Sequence, residues 1–169
     1  YGGWGLYNDE GSSYITMENN LVYNVKSGCY HQHYGRENKI HNNIFAFSMN
    51  GQIVRSREED HISFSFKNNI VYWRTGPLLT STWKGGQFKM KNNIYHKTSG
   101  EPVTFAGDGL STWQQRGHDL GSSIVDPRFV DPENYNFHLQ SESPALDIGF
   151  KPFDYRRAGV YGDESWIEL

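Results

Sequence analysis

The chain has 169 residues and a mass of 19.5 kDa, a length that fits one compact domain. Its formal net charge is −3, with 16 basic against 19 acidic residues, which argues against a nucleic-acid surface built on phosphate contacts. Aromatic residues make up 15% of the chain, which excludes a disordered protein, and no apolar run is long enough to cross a bilayer. The single cysteine, Cys29, excludes an internal disulfide, and we expect it to be a small buried residue.

A repeat dominates the first two thirds of the chain. Pairs of asparagines begin at positions 19, 42, 68 and 92, so the repeat lengths are 23, 26 and 24 residues. Apolar and polar residues alternate before each pair, a pattern typical of a half-buried strand. A second short strand is predicted after each pair, at residues 21–25, 44–48, 70–74 and 94–98. We expect the leading asparagines to stack as a ladder from repeat to repeat: Asn19, Asn42, Asn68 and Asn92.

Another series of short segments keeps nearly the same spacing and supplies a third strand per repeat. Its segments begin at Gly5, Gly28, Gly51, Gly76 and Glu101. Three short strands in each repeat of roughly two dozen residues are typical of one rung of a parallel β-solenoid. We therefore predict an all-β protein, a right-handed parallel β-helix of about five rungs over residues 1–106.

The repeat stops after Ala106, and residues 107–169 are predicted to form a short helix and a C-terminal capping segment of the same domain. Ser111 is the expected N-cap of the helix and Gly117 its end. Short strands are expected at Ile124–Val125 and Phe137–Leu139, within a cap that covers the last rung. The chain starts at Tyr1 in front of a complete first rung, so we expect either a missing N-terminal region or a partner in a homo-oligomer to cover that rung.

The glycine-led series also predicts which side chains share a face. We expect an inward apolar column, formed by Tyr7, Tyr30, Ile53, Leu78 and Val103. The neighbouring columns then face outward, with Asn8 next to His31 and Glu10 next to His33 on adjacent rungs, about 4.8 Å apart. This arrangement predicts an exposed patch that contains a carboxylate and two imidazoles.

Several runs resemble bacterial right-handed β-helix proteins of the polysaccharide-degrading type, the β-helical glycoside hydrolases, in their C-terminal portion. The runs are Gly5-Leu6-Tyr7-Asn8-Asp9-Glu10-Gly11-Ser12-Ser13, Tyr30-His31-Gln32-His33-Tyr34-Gly35, Asp126-Pro127-Arg128-Phe129-Val130-Asp131-Pro132 and Ser143-Pro144-Ala145-Leu146. This resemblance implies a polysaccharide or oligosaccharide partner and a secreted or periplasmic location in a bacterium. It does not by itself assign the chemistry, because the same solenoid carries several activities.

Glycosidic bond hydrolysis needs two carboxyl groups, one as acid and one as base or nucleophile. Asp9 and Glu10 are the leading candidates, with His31 and His33 as further catalytic residues that tune them or bind sugar hydroxyls. The loop Arg57-Glu58-Glu59-Asp60 is an alternative source of the second carboxylate. The alternative without a catalytic role is that Asp9 and Glu10 are solvated residues at the end of a strand.

Five further residues are predicted to contact the substrate: Gln32, Tyr34, Arg55, Arg57 and Trp83. We expect no cofactor. An alternative reading places Ca²⁺ or a transition metal on His31, His33 and Glu10, since two histidines and a carboxylate form a common metal-binding set.

The sequence thus predicts a carbohydrate-active hydrolase that cleaves glycosidic bonds in a polysaccharide. Two alternatives remain open. One is a non-catalytic glycan-binding or structural β-helix module. The other is a polysaccharide lyase whose base and cations are drawn from Arg55, Arg57, Lys84 and His33.

Overall fold

The computed structural model describes residues 3–159, 162 and 164–167, so Tyr1, Gly2 and the extreme end of the expected cap lie outside the described residues. Its short strands wind into three parallel sheets. The first sheet contains β1 (Leu6–Asn8), β4 (Tyr30–Gln32), β7 (Ile53–Arg55) and β10 (Leu79–Ser81). The second contains β2 (Thr16–Glu18), β5 (Asn38–His41), β8 (Phe64–Lys67) and β11 (Phe88–Lys91). The third contains β3 (Leu21–Tyr23), β6 (Ile44–Ala46), β9 (Ile70–Trp73), β12 (Ile94–Lys97) and β13 (Ser123–Ile124).

The all-β fold class and the parallel β-helix are confirmed, with about four rungs instead of five. The expected fifth strand of the first sheet is absent from residues 101–106, where Phe105 forms only an isolated antiparallel bridge with Asp108. Pro102 lacks the N–H that a ladder needs, and the chain turns toward a helix a few residues later.

The core lies inside the solenoid, where the three sheets face one another. It contains aromatic and aliphatic side chains from each sheet, among them Tyr30, Ile53, Phe64, Phe66, Val71 and Tyr95. Burying each such side chain stabilises the fold by roughly 1.5–3 kcal/mol. Cys29 belongs to this core, and burial raises the pKa of its thiol to about 12.

The middle strands of the third sheet, β6 and β9, are buried on both faces. Strand β9 reads Ile70-Val71-Tyr72-Trp73 and is buried throughout, as expected for a continuous apolar run. Val71 and Trp73 face the interior core, whereas Ile70 and Tyr72 belong to a second apolar cluster with Phe129 and other tail residues. The C-terminal segment therefore packs along the outer face of the third sheet, and not over the last rung as the sequence suggested.

The tail contains several short elements after β13. These are β14 (Phe129–Asp131), a 3₁₀ helix at Pro132–Asn134, β15 (Asn136–Leu139), α2 (Pro144–Asp147), a 3₁₀ helix at Tyr155–Arg157 and α3 (Glu164–Ile167). Strands β14 and β15 pair antiparallel. The expected strands near Ile124–Val125 and Phe137–Leu139 correspond to β13 and β15.

The last rung is covered by helix α1 (Leu110–Gln115) instead. The helix buries Trp113, which stacks on Phe88 and Phe105 at centroid distances of 5.8 and 6.1 Å. Gly109 is the N-cap without a side-chain hydrogen bond, so the expected cap at Ser111 is wrong. Gly117 follows the helix with φ of +86°, a left-handed conformation that suits the predicted helix end.

The asparagine ladder exists, but the second residue of each pair forms it. Asn20 donates to Asn43 Oδ1 at 2.9 Å, Asn43 to Asn69 at 3.0 Å, and Asn69 to Asn93 at 3.3 Å. Asn93 donates to the buried carboxylate of Asp119 at 3.0 Å, which ends the ladder.

The leading asparagines have a different role from the expected one. They adopt left-handed backbone conformations, with φ of 53–56°, at the bends between the second and third sheets: Asn19, Asn42, Asn68 and Asn92. Among them Asn42 and Asn68 also fix the tail, since their amides donate to the carbonyls of Lys151 and Ile148. Only one of the expected rung-to-rung bonds between them is present, from Asn42 to Asn19 at 2.7 Å.

Candidate functional site

The outer face of the first sheet carries the predicted patch, in a register that differs by one residue from the expected one. Leu6, and not Tyr7, pairs with Tyr30, and Leu79, and not Leu78, pairs with Ile53. Because side chains alternate along a strand, the shift turns Tyr7 outward and buries Asn8 in the interior.

Two outward columns result, and together we call them the first-sheet wall. Strand pairing aligns Tyr7, His31, Val54 and Thr80 in the first column. Backbone hydrogen bonds just beyond the strands align the second column, Asp9, His33, Ser56 and Thr82. Asp9, and not Glu10, is therefore the residue next to His33.

Aromatic rings run in sequence along this wall. Trp4 stacks on Tyr7 with centroids 4.6 Å apart, and Tyr7 contacts His31 at 4.9 Å. The rings of His31 and His33 are 6.3 Å apart, and Tyr34 lies 6.4 Å beyond His33. We call these five residues the aromatic strip. Its far end is closed by Arg57, whose guanidinium lies 4.4 Å from the centroid of Tyr34.

Ser56 lies between the two histidines. Its Oγ is 2.7 Å from His31 Nε2 and 2.9 Å from His33 Nδ1. A serine hydroxyl has one proton to donate, so at least one of the two imidazoles donates to Ser56. The three side chains form a hydrogen-bonded row, of which Ser56 and His33 are accessible at the surface.

Asp9 belongs to the wall, whereas Glu10 lies beside it. Asp9 hydrogen-bonds the hydroxyl of Tyr7, and burial together with the Asp9 and Glu10 charges raises the pKa of Tyr7. Oδ1 of Asp9 also accepts the backbone N–H of Glu10 at 2.8 Å, which fixes the carboxylate at the end of the strand. Both acids are exposed, and Gly11 turns the chain away with φ of +77°.

His31 is 7% exposed, and its environment keeps the ring neutral. Burial and the neighbouring His33 lower the pKa of His31 to about 4, with the Asp9 charge opposing them. Within the described part of the chain, no group of three or more His, Cys, Asp or Glu side chains is placed to hold a metal ion. The alternative of Ca²⁺ or a transition metal on His31, His33 and Glu10 stays an untested prediction, and Ser56 binds one ring nitrogen of each histidine.

Three of the predicted substrate contacts lie in the interior. Gln32 and Arg55 point into the solenoid, as Asn8 does, and are fully buried. Trp83 packs edge-on against Phe64. Strand parity turns Gln32 and Arg55 away from the open wall and core packing turns Trp83 away from it, so their predicted contact with substrate gains no support from the wall. Tyr34 and Arg57 remain at the surface of the wall.

The alternative carboxylates of the loop after β7 are engaged elsewhere. Glu58 Oε1 accepts from Arg55 Nη1 at 3.0 Å. Glu59 accepts the backbone N–H of Gly35 at 3.1 Å and lies 3.4 Å from His61 Nε2. Asp9 and Glu10 therefore remain the better placed carboxylates for chemistry on the first-sheet wall.

Sequence reasoning missed Trp4, Tyr7 and Ser56 as members of the site. The alignment with Tyr30 assigns Tyr7 to the core, and Trp4 and Ser56 are not among the predicted site residues. The signal that points to both residues is the pairing register, which the repeat spacing leaves uncertain by one residue.

The fold and the wall together define a parallel β-helix protein with an exposed aromatic and polar face, an architecture compatible with carbohydrate-active proteins. The chain is 25% identical over 195 residues to the uncharacterized protein YwoF of Bacillus subtilis (strain 168). That match covers 88% of this chain and 41% of the relative, so the chain spans less than half of the relative's length. No family model matches the chain, and no solved structure matches it. Among the described helices, none has the length and apolar character to span a membrane.

Proposed function

We propose that the protein is a carbohydrate-active hydrolase that cleaves glycosidic bonds in a polysaccharide bound along the first-sheet wall. The observation that supports this proposal is the aromatic strip, which brings the carboxylate of Asp9 and two histidines onto one exposed face. A polysaccharide is met outside the cell, so the proposal includes a secreted or periplasmic location.

The chemistry of the strip suits a sugar better than a purely apolar ligand. Aromatic rings offer large flat apolar faces, and a pyranose ring presents a matching face of C–H groups. Ser56 and His33 offer hydrogen-bonding atoms to hydroxyl groups at the surface, whereas His31 is buried and orients Ser56 through Nε2. The wall therefore combines stacking surfaces with hydroxyl-binding groups at a spacing of about one rung, roughly 4.8 Å.

Asp9 and Glu10 supply the two carboxyl groups of the proposed reaction. One protonates the glycosidic oxygen as the bond breaks, and the other activates water or attacks the anomeric carbon. The link between Tyr7 and Asp9 places that carboxylate beside the strip. Glu10 is adjacent in sequence and reaches the same end of the strip.

The test is release of reducing sugar from a panel of plant and algal polysaccharides, measured for the parent protein and for Asp9→Asn and Glu10→Gln. We expect each substitution to reduce turnover at least a hundredfold while leaving binding to the same polymer intact. Glu18→Gln is the matched control, because Glu18 is an exposed acid on the second sheet. Turnover that is unchanged in both variants would refute the assignment of these carboxylates.

A non-catalytic glycan-binding module is the second candidate, and the same aromatic strip favours it. Binding of a polysaccharide without any release of reducing sugar, in the parent protein and in the variants alike, selects this alternative. A lyase is distinguished by unsaturated products that absorb in the ultraviolet. One of the cations proposed for the lyase, Arg55, is inaccessible to substrate because it is buried and paired with Glu58.

A further inference from the structure

A pocket of about 650 Å³ opens at the far end of the first sheet, away from Trp4 and Tyr7. It lies between strand β10 and helix α1, where the fifth strand of the first sheet is missing. Trp83 and Trp113 form part of its wall, and Lys84, Arg116 and His118 surround it. Both tryptophans are largely buried, with 6% and 2% of their surface exposed, so basic groups dominate the accessible part of the pocket.

Positive charge predominates around this pocket, although the whole chain has a net charge of −3. Arg116 pairs with Asp108, but in the described part of the chain Lys84 has no ion-pair partner. His118 stacks on Phe88 and packs against Trp113 at centroid distances of 4.8 and 4.5 Å. Burial and the charge of Arg116 lower the pKa of His118.

The segment that carries Lys84 is held in place from inside the solenoid. Buried Arg55 donates from Nη1 to the carbonyls of Thr82 and Lys84 at 3.3 and 3.2 Å. Trp83 donates its indole N–H to the carbonyl of Thr80 at 2.7 Å. These bonds fix the backbone on both sides of Trp83, so the lysine emerges from an ordered wall.

The pocket also continues the first-sheet wall. Thr82 is the last member of the column that begins with Asp9, and Lys84 follows it by two residues. Three rung spacings separate Asp9 from Thr82, roughly 14 Å at about 4.8 Å each. A sugar chain of a few units that lies along the column therefore reaches from the proposed reaction site to the pocket.

We propose that this pocket binds a sugar unit carrying a negatively charged group, a carboxylate or a sulfate, with Lys84 and Arg116 as its cationic partners. The two cations compensate the charge of its substituent, and the sugar ring lies over the exposed edges of the largely buried tryptophans. Its role as a subsite for the hydrolysed polymer rests on the proposed function, whereas recognition of the charged unit does not. Arg55 acts as a positioning residue for Lys84 and makes no contact with the ligand.

The test is calorimetric binding of three sets of oligosaccharides, namely oligogalacturonate, its methyl ester and a sulfated galactan oligomer. Each is measured with the parent protein, Lys84→Met, Arg116→Met and Lys89→Met. Lys89 is the control, an exposed lysine on the second sheet. We expect at least one charged oligomer to bind at least tenfold more tightly than the uncharged ester. That preference should fall at least fivefold in Lys84→Met and Arg116→Met and stay unchanged in Lys89→Met.

Because Arg116 lies just beyond α1, Arg116→Met is compared with the parent by circular dichroism, and Lys84→Glu serves as a second charge variant that leaves the helix untouched. Equal affinities for the charged oligomers and the ester would overturn the inference, as would a preference that survives in both Lys84 variants. Charge-selective binding without hydrolysis of any polymer would refute the proposed function and support the pocket assignment. Hydrolysis of neutral polymers without charge-selective binding would support the proposed function and refute the pocket assignment.

Discussion

Nε2 of His31 lies 2.7 Å from Oγ of Ser56, although the two residues are 25 positions apart in the chain. They come together because His31 and Ser56 occupy neighbouring rungs, with His31 in the first outward column and Ser56 in the second. The contact leaves the other ring nitrogen of His31, Nδ1, buried without a hydrogen-bond partner. The fold therefore offers little stabilisation to the protonated form of the His31 ring.

The lowered pKa of His31, about 4 against an ordinary value of 6.5, predicts a loss of stability in acid. The unfolded chain binds this proton as the pH falls below about 6.5 and the folded chain does not until about 4, so stability declines across that window. With allowance for the partial solvation of the ring, we expect His31 to account for about 1–2 kcal/mol. His118 contributes in the same direction, because its pKa is also lowered.

Urea unfolding at pH 7 and at pH 4.5 measures this effect. His31→Gln should lose less stability than the parent between the two values, since glutamine does not titrate. His41→Gln is the control, a half-exposed histidine on the second sheet. Identical losses for the parent and His31→Gln would show that the ring does not titrate as stated.

Tyr7 provides a test of the aromatic strip that does not depend on catalysis. Its ring stacks on Trp4 and contacts His31, so it connects the exposed end of the strip to the histidines. Tyr7→Leu should weaken polysaccharide binding by about 1 kcal/mol, roughly fivefold in affinity. Tyr14→Leu is the control, because Tyr14 is 64% exposed and lies outside the strip. Affinity electrophoresis in polysaccharide gels measures both, and equal mobility shifts would count against the strip as the binding surface.

The repeat alone predicted the parallel β-helix, because apolar alternation before each asparagine pair and a nearly constant spacing both require stacked strands. It did not predict which column Tyr7 joins. Gly5 donates to the carbonyl of Gly28 and so lies beside Cys29, which shifts the first strand by one residue against the glycine alignment. A shift of one residue exchanges the two faces of a strand, so Tyr7 joins the wall and Asp9, instead of Glu10, lies next to His33.

Backbone conformation explains the other difference between sequence and structure. In each Asn-Asn pair the first residue takes the left-handed conformation at the bend, and this frees the second to point inward and stack. The two asparagines of each pair have equal propensity for turns, so the sequence does not distinguish whether Asn19 or Asn20 belongs to the ladder. The position of the tail was likewise unspecified, since apolar residues such as Phe129 and Phe137 suit any exposed apolar face.

Asn69 is the residue of the ladder whose loss should cost most. Its Oδ1 accepts from the backbone and side chain of Asn43, and its amide donates to the carbonyl of Ile40 and to Asn93. Asn69→Ala leaves these buried groups without partners, and we expect a loss of about 3 kcal/mol in the free energy of unfolding. Asn50→Ala should change it by less than about 0.5 kcal/mol, because Asn50 is exposed. Chemical denaturation compares the two, and similar losses would refute a structural role for the ladder.

Arg55 links the stability of the interior to the shape of the surface. Its guanidinium is fully buried, bonds to Glu58, Thr82 and Lys84, and lies 5.2 Å from the ring centroid of Phe88. We expect Arg55→Met to lower the free energy of unfolding by about 3 kcal/mol, since it removes one partner of a buried charged network. Arg36→Met, at an exposed arginine 4.0 Å from Glu37, should cost less than about 0.5 kcal/mol.

Arg55→Met also distinguishes whether Arg55 positions Lys84 or only stabilises the core. Binding is measured at a low temperature at which Arg55→Met is still folded. If Arg55 fixes the segment at Lys84, this variant should lose the preference for charged over esterified oligosaccharides. Retention of that preference, together with the expected loss of stability, would mean that Arg55 supports the core but does not set the position of Lys84.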